Sequence, residues 1–166
     1  YTTLFRSIQL LDPRQVSRAV DLLRRSRRVV CMGQGSSMVL SEEAWTLFST
    51  VSPKFLFVPD SHLQMNTLAL MDPDELVLFF SYSGSTRDFQ DLLEVARQRQ
   101  VKVVLVSRFP KSPGGQLADV VLQCGADEGP LQAGSVNARM AQLFVLDVLF
   151  QEFCMRAPEE TEQSRE

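Results

Sequence analysis

Short, almost purely apolar runs punctuate this chain, and between them apolar residues recur at helical spacing. The runs are VVCM (29–32), KFLFV (54–58), ELVLFF (75–80), VKVVLVS (101–107) and DVVLQC (119–124). Each is too short for a buried helix, is rich in valine or phenylalanine, and predicts a strand. Strict alternation is absent, as expected for strands covered on both faces. Residues 15–25 put Val16, Ala19, Val20 and Leu23 on one helical face. Residues 36–51 repeat the pattern with Leu40, Ala44, Leu47, Phe48 and Val51, and 87–99 with Phe89, Leu92, Leu93 and Ala96. A weaker helix over 62–71 stops before DPD, a turn signal.

Strand–helix alternation with short links predicts a parallel sheet with right-handed crossovers and helices on both faces. The expected fold class is α/β, a three-layer αβα domain around a five-stranded parallel sheet. One domain over 1–156 is expected, with 1–27 as a leading helical segment and 157–166, APEETEQSRE, as a polar tail. Residues 136–155 are apolar around most of the helical circumference. Such a helix is buried on two sides. Either a subunit interface or a central place in a monomeric core meets that requirement.

Composition narrows the function. At 166 residues and 45% hydrophobic, the chain has the makings of one ordinary soluble domain. Its 17 basic and 20 acidic residues leave a net charge of −3, which argues against this chain itself gripping a nucleic-acid backbone. The run RRSRR (24–28) is the local exception, and reads as a solvated helix end whose cations suit the helix dipole. Cys31, Cys124 and Cys154 lack C-x-x-C spacing and have mostly apolar neighbours, so reduced, buried thiols in a cytoplasmic setting are expected. A single histidine and the absence of a Cys/His cluster leave no expected metal site. No apolar run has the length of a membrane span, no signal peptide opens the chain, and no membrane partner is expected.

Two loops carry the candidate chemistry. GQGSS (33–37) follows the first strand, and SYSGST (81–86) follows ELVLFF; both run straight into helix N-termini. In open parallel α/β sheets, ligands bind beyond the carboxyl ends of the strands. Unpaired N–H groups and the dipole at a helix start favour an anion. Gly84 allows a tight turn, while Ser81, Ser83, Ser85 and Thr86 offer hydroxyl donors. One serine or threonine before a helix is usually a cap; four hydroxyls in six positions exceed what capping requires. Neither loop has a P-loop lysine, so a single phosphate monoester fits better than a nucleoside triphosphate with magnesium. The G-x-G of GQGSS lacks the third glycine of a dinucleotide fingerprint, although Asp60 after KFLFVP leaves that reading open.

These residues resemble a known family. SYSGST matches the S-x-S-G-x-T phosphate loop of sugar isomerase (SIS) domains, and GQGSS resembles their first-strand glycine–serine loop. DSHLQ (60–64), SYSGSTRD (81–88), SRFPKSPGGQLADVVL (107–122) and AGSVNARMAQLFVLDVLF (133–150) resemble, in that order, the effector domain of RpiR-type transcriptional regulators. The likeness covers about residues 11–155. It implies a flavodoxin-like SIS fold, a phosphorylated sugar as effector, no cofactor, and assembly as a homodimer or tetramer. It also implies that DNA is bound only through an N-terminal helix-turn-helix domain missing from this sequence, in keeping with its opening on Tyr1 rather than Met. By position, Ser81, Ser83 and Thr86 would hold the phosphate with the amides around Gly84 and Ser85. Gly35, Ser36, Ser37 and Glu128 would contact the sugar. Many relatives carry a basic residue and a serine before the glycine of the last helix, where this chain has Gln132 and Ala133 before Gly134.

An aldose–ketose isomerase needs a base near the substrate carbon and a second group to open the ring. Glu128 is the candidate base and His62 the candidate second group. Glu128 lies in ADEGP, a turn by composition, and reads as a sugar contact or loop charge, as a partner-facing residue, or as catalytic. His62 reads as a cap or interface residue, or as a ligand contact. The sequence favours a non-catalytic sensor that regulates carbohydrate metabolism; the alternative is a phosphosugar isomerase with Glu128 as base, and a nucleotide-binding module is a third reading. In the sensor, the helix from 136 is expected to carry the effector's preference between dimer geometries to the subunit interface.

Overall fold

The computed structural model describes residues 2–126 and 135–156. Its strands are β1 (Val29–Gly33), β2 (Phe55–Phe57), β3 (Leu76–Phe80), β4 (Lys102–Ser107) and β5 (Val120–Gln123). All neighbours pair in parallel, in the order β2-β1-β3-β4-β5. Every run read as a strand is one, with ends differing by a residue or two. Every residue of β1 and β3 is buried, as unbroken apolar runs require.

Seven α-helices and one 3-10 turn, Gly35–Ser37, accompany the strands among the described residues: α1 (Thr2–Leu10), α2 (Pro13–Arg25), α3 (Met38–Ser49), α4 (Ser61–Ala69), α5 (Arg87–Gln98), α6 (Pro113–Leu117) and α7 (Val136–Arg156). Two apolar clusters show how they are layered. On one face α2, α3 and α7 pack on the sheet, with Phe48 stacked on Phe55 at 4.4 Å and Phe153 edge-on to both. On the other, α4 and α5 close over the sheet, where Phe89 stacks on Phe79 at 4.2 Å. The expected αβα architecture is therefore present.

The last helix resolves into two strips. Ala138, Ala141, Val145, Leu146, Leu149 and Phe153 are buried, with α1, α2 and α3 as neighbours. Met140 and Leu143 remain exposed. The five-residue α6 is absent from the apolar pattern, because PGG reads as a breaker. Ser112 makes it possible: its hydroxyl accepts the Gly115 amide at 3.1 Å, and Pro113 occupies the first turn, where a missing N–H costs nothing.

Arg27 and Arg28 of the RRSRR run are tied down by acids. Arg27 pairs with Asp74 at 2.9 Å and with Asp72 at 3.5 Å, and Arg28 pairs with the buried Glu75. The DPD turn is thus half of an ion-pair network at the sheet's amino-terminal edge. All three cysteines are thiols, Cys31 and Cys124 buried and Cys154 half-buried. Among the described residues, no helix is long and apolar enough to cross a membrane.

Candidate functional site

Strand order reverses direction between β1 and β3, and ligands of such sheets gather at that point. The register pairs Gly33 with Phe80, so the two hydroxyl loops leave the sheet side by side. Between them is a cavity of about 270 Å³. The first loop contributes Gly35, Ser36 and Ser37 to its wall, and the second Ser81, Ser83 and Thr86, with Tyr82 between them. Two loops that are 48 positions apart in sequence, counted from Gly33 to Ser81, thus form one site. Gly84 and Ser85 stand outside this lining, and Glu128 lies outside the described residues.

The hydroxyls are not equivalent. Ser81 Oγ accepts the Gly84 amide at 3.1 Å, and Ser83 Oγ accepts the Ser85 amide at 3.3 Å. The two amides expected to face a phosphate therefore shape the turn here. A hydroxyl that accepts still has its own proton to donate, so Ser81 and Ser83 keep a donor each. Thr86 occupies the N-cap position of α5 in extended conformation without making a side-chain cap bond, whereas Ser37 ends a 3-10 turn that runs straight into α3. For Thr86 that is the opposite of ordinary capping. Among the described residues, no lysine or arginine lines the cavity.

The turn rests on a floor that the sequence did not reveal. Gly84 has φ +62°, a left-handed conformation suited to glycine. A Cβ there would meet Ser112 Oγ at 2.2 Å. Its carbonyl accepts the Gly114 amide at 2.8 Å, and Ser107 Oγ donates to Tyr82 O at 3.0 Å. The SRFPKSPGG stretch, quoted for its resemblance, is thus the support of the loop. Gln64, from DSHLQ, is also structural: buried, it donates to Gly33 O and Val58 O, both at 2.9 Å, and fixes where the first loop departs. A polar residue on the inward face of a weak helix was the only signal available.

Asp60 has an ordinary role, accepting the Leu63 amide at 2.9 Å as the N-cap of α4. The cap accounts for Asp60 without a ligand. His62 is exposed and lines a second cavity of about 200 Å³ with Asp88, which shares Gln34 with the first. Among the described residues, no group of three His, Cys, Asp or Glu side chains is placed to hold a metal.

A parallel sheet with serine-rich loops meeting at its switch point has the architecture of a SIS domain, and the family model for that domain matches residues 22–151. The chain belongs to the SIS-domain family. An HTH-type transcriptional regulator of Providencia stuartii is 29% identical to it over 149 residues, 90% of this chain and 53% of that protein. The HTH-type transcriptional regulator RpiR of Escherichia coli is 26% identical over 148 residues, 89% of this chain and 50% of that protein. The chain therefore spans about half the length of the curated relatives it matches. Among solved structures, Vibrio vulnificus NanR complexed with ManNAc-6P has the same fold, with a TM-score of 0.92 at 23% identity over 99% of this chain and 62% of that one.

Proposed function

We propose that this chain is the effector-binding domain of a cytoplasmic helix-turn-helix transcriptional regulator controlling carbohydrate metabolism, and that its ligand is a phosphorylated sugar. The observation that carries this is Thr86. It stands at the start of α5, lines the cavity, and leaves its helix uncapped by its side chain. Ser81, Ser83 and Thr86 donate to the phosphate, aided by the dipole of α5. The amides of Gly84 and Ser85 join them when the serine hydroxyls turn outward. Gly35, Ser36, Ser37 and Glu128 serve the sugar. A cavity of about 270 Å³ suits one phosphorylated sugar better than a dinucleotide.

The names of the relatives support regulation over catalysis. The domain assembles as a homodimer or tetramer, and DNA is bound by the helix-turn-helix portion of the full-length protein. An isomerase using Glu128 as base makes a different prediction, deuterium from solvent at C1 or C2 of the sugar.

A thermal-shift panel of hexose, pentose and amino-sugar phosphates, including N-acetylmannosamine 6-phosphate, tests the reading. At least one compound is expected to raise the melting temperature, and Ser83→Ala with Thr86→Ala is expected to abolish the rise. An unchanged response in the double variant overturns the site. Incubation in D2O with label appearing at C1 or C2 overturns the sensor.

A further inference from the structure

Two hydrogen bonds, joined by the peptide link between Gly125 and Ala126, connect the cavity loop to α1. Tyr82 sits between two of the proposed phosphate donors, Ser81 and Ser83. Its carbonyl is held by Ser107 Oγ and the Arg108 amide, each at 3.0 Å. Its phenol donates to Ala126 O at 2.6 Å, where Arg108 Nε also reaches at 3.4 Å. The neighbouring residue, Gly125, gives its amide to Ser7 Oγ at 3.1 Å. That same hydroxyl lies 3.2 Å from Gly125 O and 3.0 Å from Thr3 O, so its proton is shared between two carbonyls.

Ser7 is fully buried, the one buried residue of α1. A buried hydroxyl and a buried amide without partners are costly, so the serine and the glycine move together. The fit is also tight. A Cβ on Gly125 would stand 2.7 Å from Arg6 Cβ and 2.9 Å from the Ser7 nitrogen. Close-packed contacts of this kind shift between discrete arrangements and do not compress. Beyond this seat α1 packs along α7, while Phe5 and Ile8 are 62% and 57% exposed and Thr3 bonds Asn137 on the surface at 3.1 Å.

We propose that α1 is the output element of this domain, and that the state of the phosphate loop reaches it through Tyr82, Ala126, Gly125 and Ser7. This rests on the effector reading of the cavity. Closing Ser81 and Ser83 on an anion moves Tyr82, which lies between them. The phenol carries that displacement to Ala126, and the Gly125 seat passes it to the helix. The route is additional to α7, and it leads to the first element of the chain.

Amide NMR on the 15N-labelled 166-residue chain tests it in two arms. Without ligand, Tyr82→Phe is expected to speed hydrogen exchange at Gly125 and in α1 about ten-fold, the worth of one net hydrogen bond. Ser7→Ala is expected to speed exchange at Gly84 and Ser85 in return, whereas Thr3→Ala, which cuts only the surface bond to α7, leaves those two amides alone. Unchanged exchange at Gly125 and α1 in the Tyr82 variant overturns the coupling whatever the cavity binds. With N-acetylmannosamine 6-phosphate or inorganic phosphate as probe, the amides of 84–86, Gly125 and α1 are expected to shift together. Ser7→Ala should keep the loop shifts and lose those of α1. Loop shifts without any response at Gly125 or α1 in the unaltered chain overturn the coupling and leave the effector reading standing. A loop that ignores every probe counts against the effector reading, and the ligand-free arm still decides the coupling.

Discussion

Thr86 and Asp60 both introduce a helix, yet their side chains do opposite things. Asp60 caps α4 through the Leu63 amide, whereas Thr86 makes no such bond to α5. Asp60→Ala is expected to cost about 1 kcal/mol of stability, read by denaturant unfolding, with little effect on binding. Thr86→Val is expected to leave the unfolding midpoint nearly unchanged and to weaken phosphosugar affinity at least ten-fold by calorimetry, since a hydrogen bond to a charged acceptor is worth about 1.5–3 kcal/mol. The hydroxyl cluster was legible because its density exceeded what caps require. The roles of Ser107, Ser112 and Gln64 were not, because each acts on a distant loop that only the folded sheet brings near. Gly84 and Ser85 were legible as parts of the turn, but their amides pointing at serines required coordinates.

At the scale of elements, β1, β3 and β4 were readable because covered β-strands are continuous apolar runs. The edge strands β2 and β5 are only partly buried, with Leu56 exposed, contrary to the expectation of cover on both faces. The short α6 was not readable, since its cap and proline look like a break in the pattern. RRSRR and DPD were each visible, but their pairing was not, for they are joined only when β1 and β3 align. The Asp74 carboxyl is held below its usual value, first by its hydrogen bond to Arg27. A depressed folded value contributes stability above the unfolded pKa and loses it as pH falls through the folded one. The window therefore lies below about pH 4, the ordinary range for aspartate. Asp74→Asn is expected to flatten the acid limb of a melting-temperature profile there, and modestly, because both partners are more than half exposed.

For the whole molecule, the three-layer sheet followed from alternation alone, whereas the fate of α7 did not. Its circumference is apolar because α1, α2 and α3 all adjoin it, and Met140 and Leu143 still face outward. The core reading of that helix is met by the buried strip, and the subunit-interface reading is carried as a prediction on Met140 and Leu143. Sedimentation velocity is expected to give at least twice the 18.7 kDa of one chain, and Leu143→Glu is expected to shift the population toward monomer. A monomer at high micromolar concentration counts against the assembly.

Among the described residues, the cavity wall sets hydroxyls beside Phe79 and Phe80 and carries neither lysine nor arginine. Long-range attraction between charges fades over about 10 Å at ordinary ionic strength. On the proposed reading, a site that holds its anion through hydroxyls would draw little on the long-range attraction by which basic pockets gather nucleic acids and polyphosphates. Its affinity for a phosphosugar is then expected to change little between low and high salt, where that of a basic pocket would fall steeply.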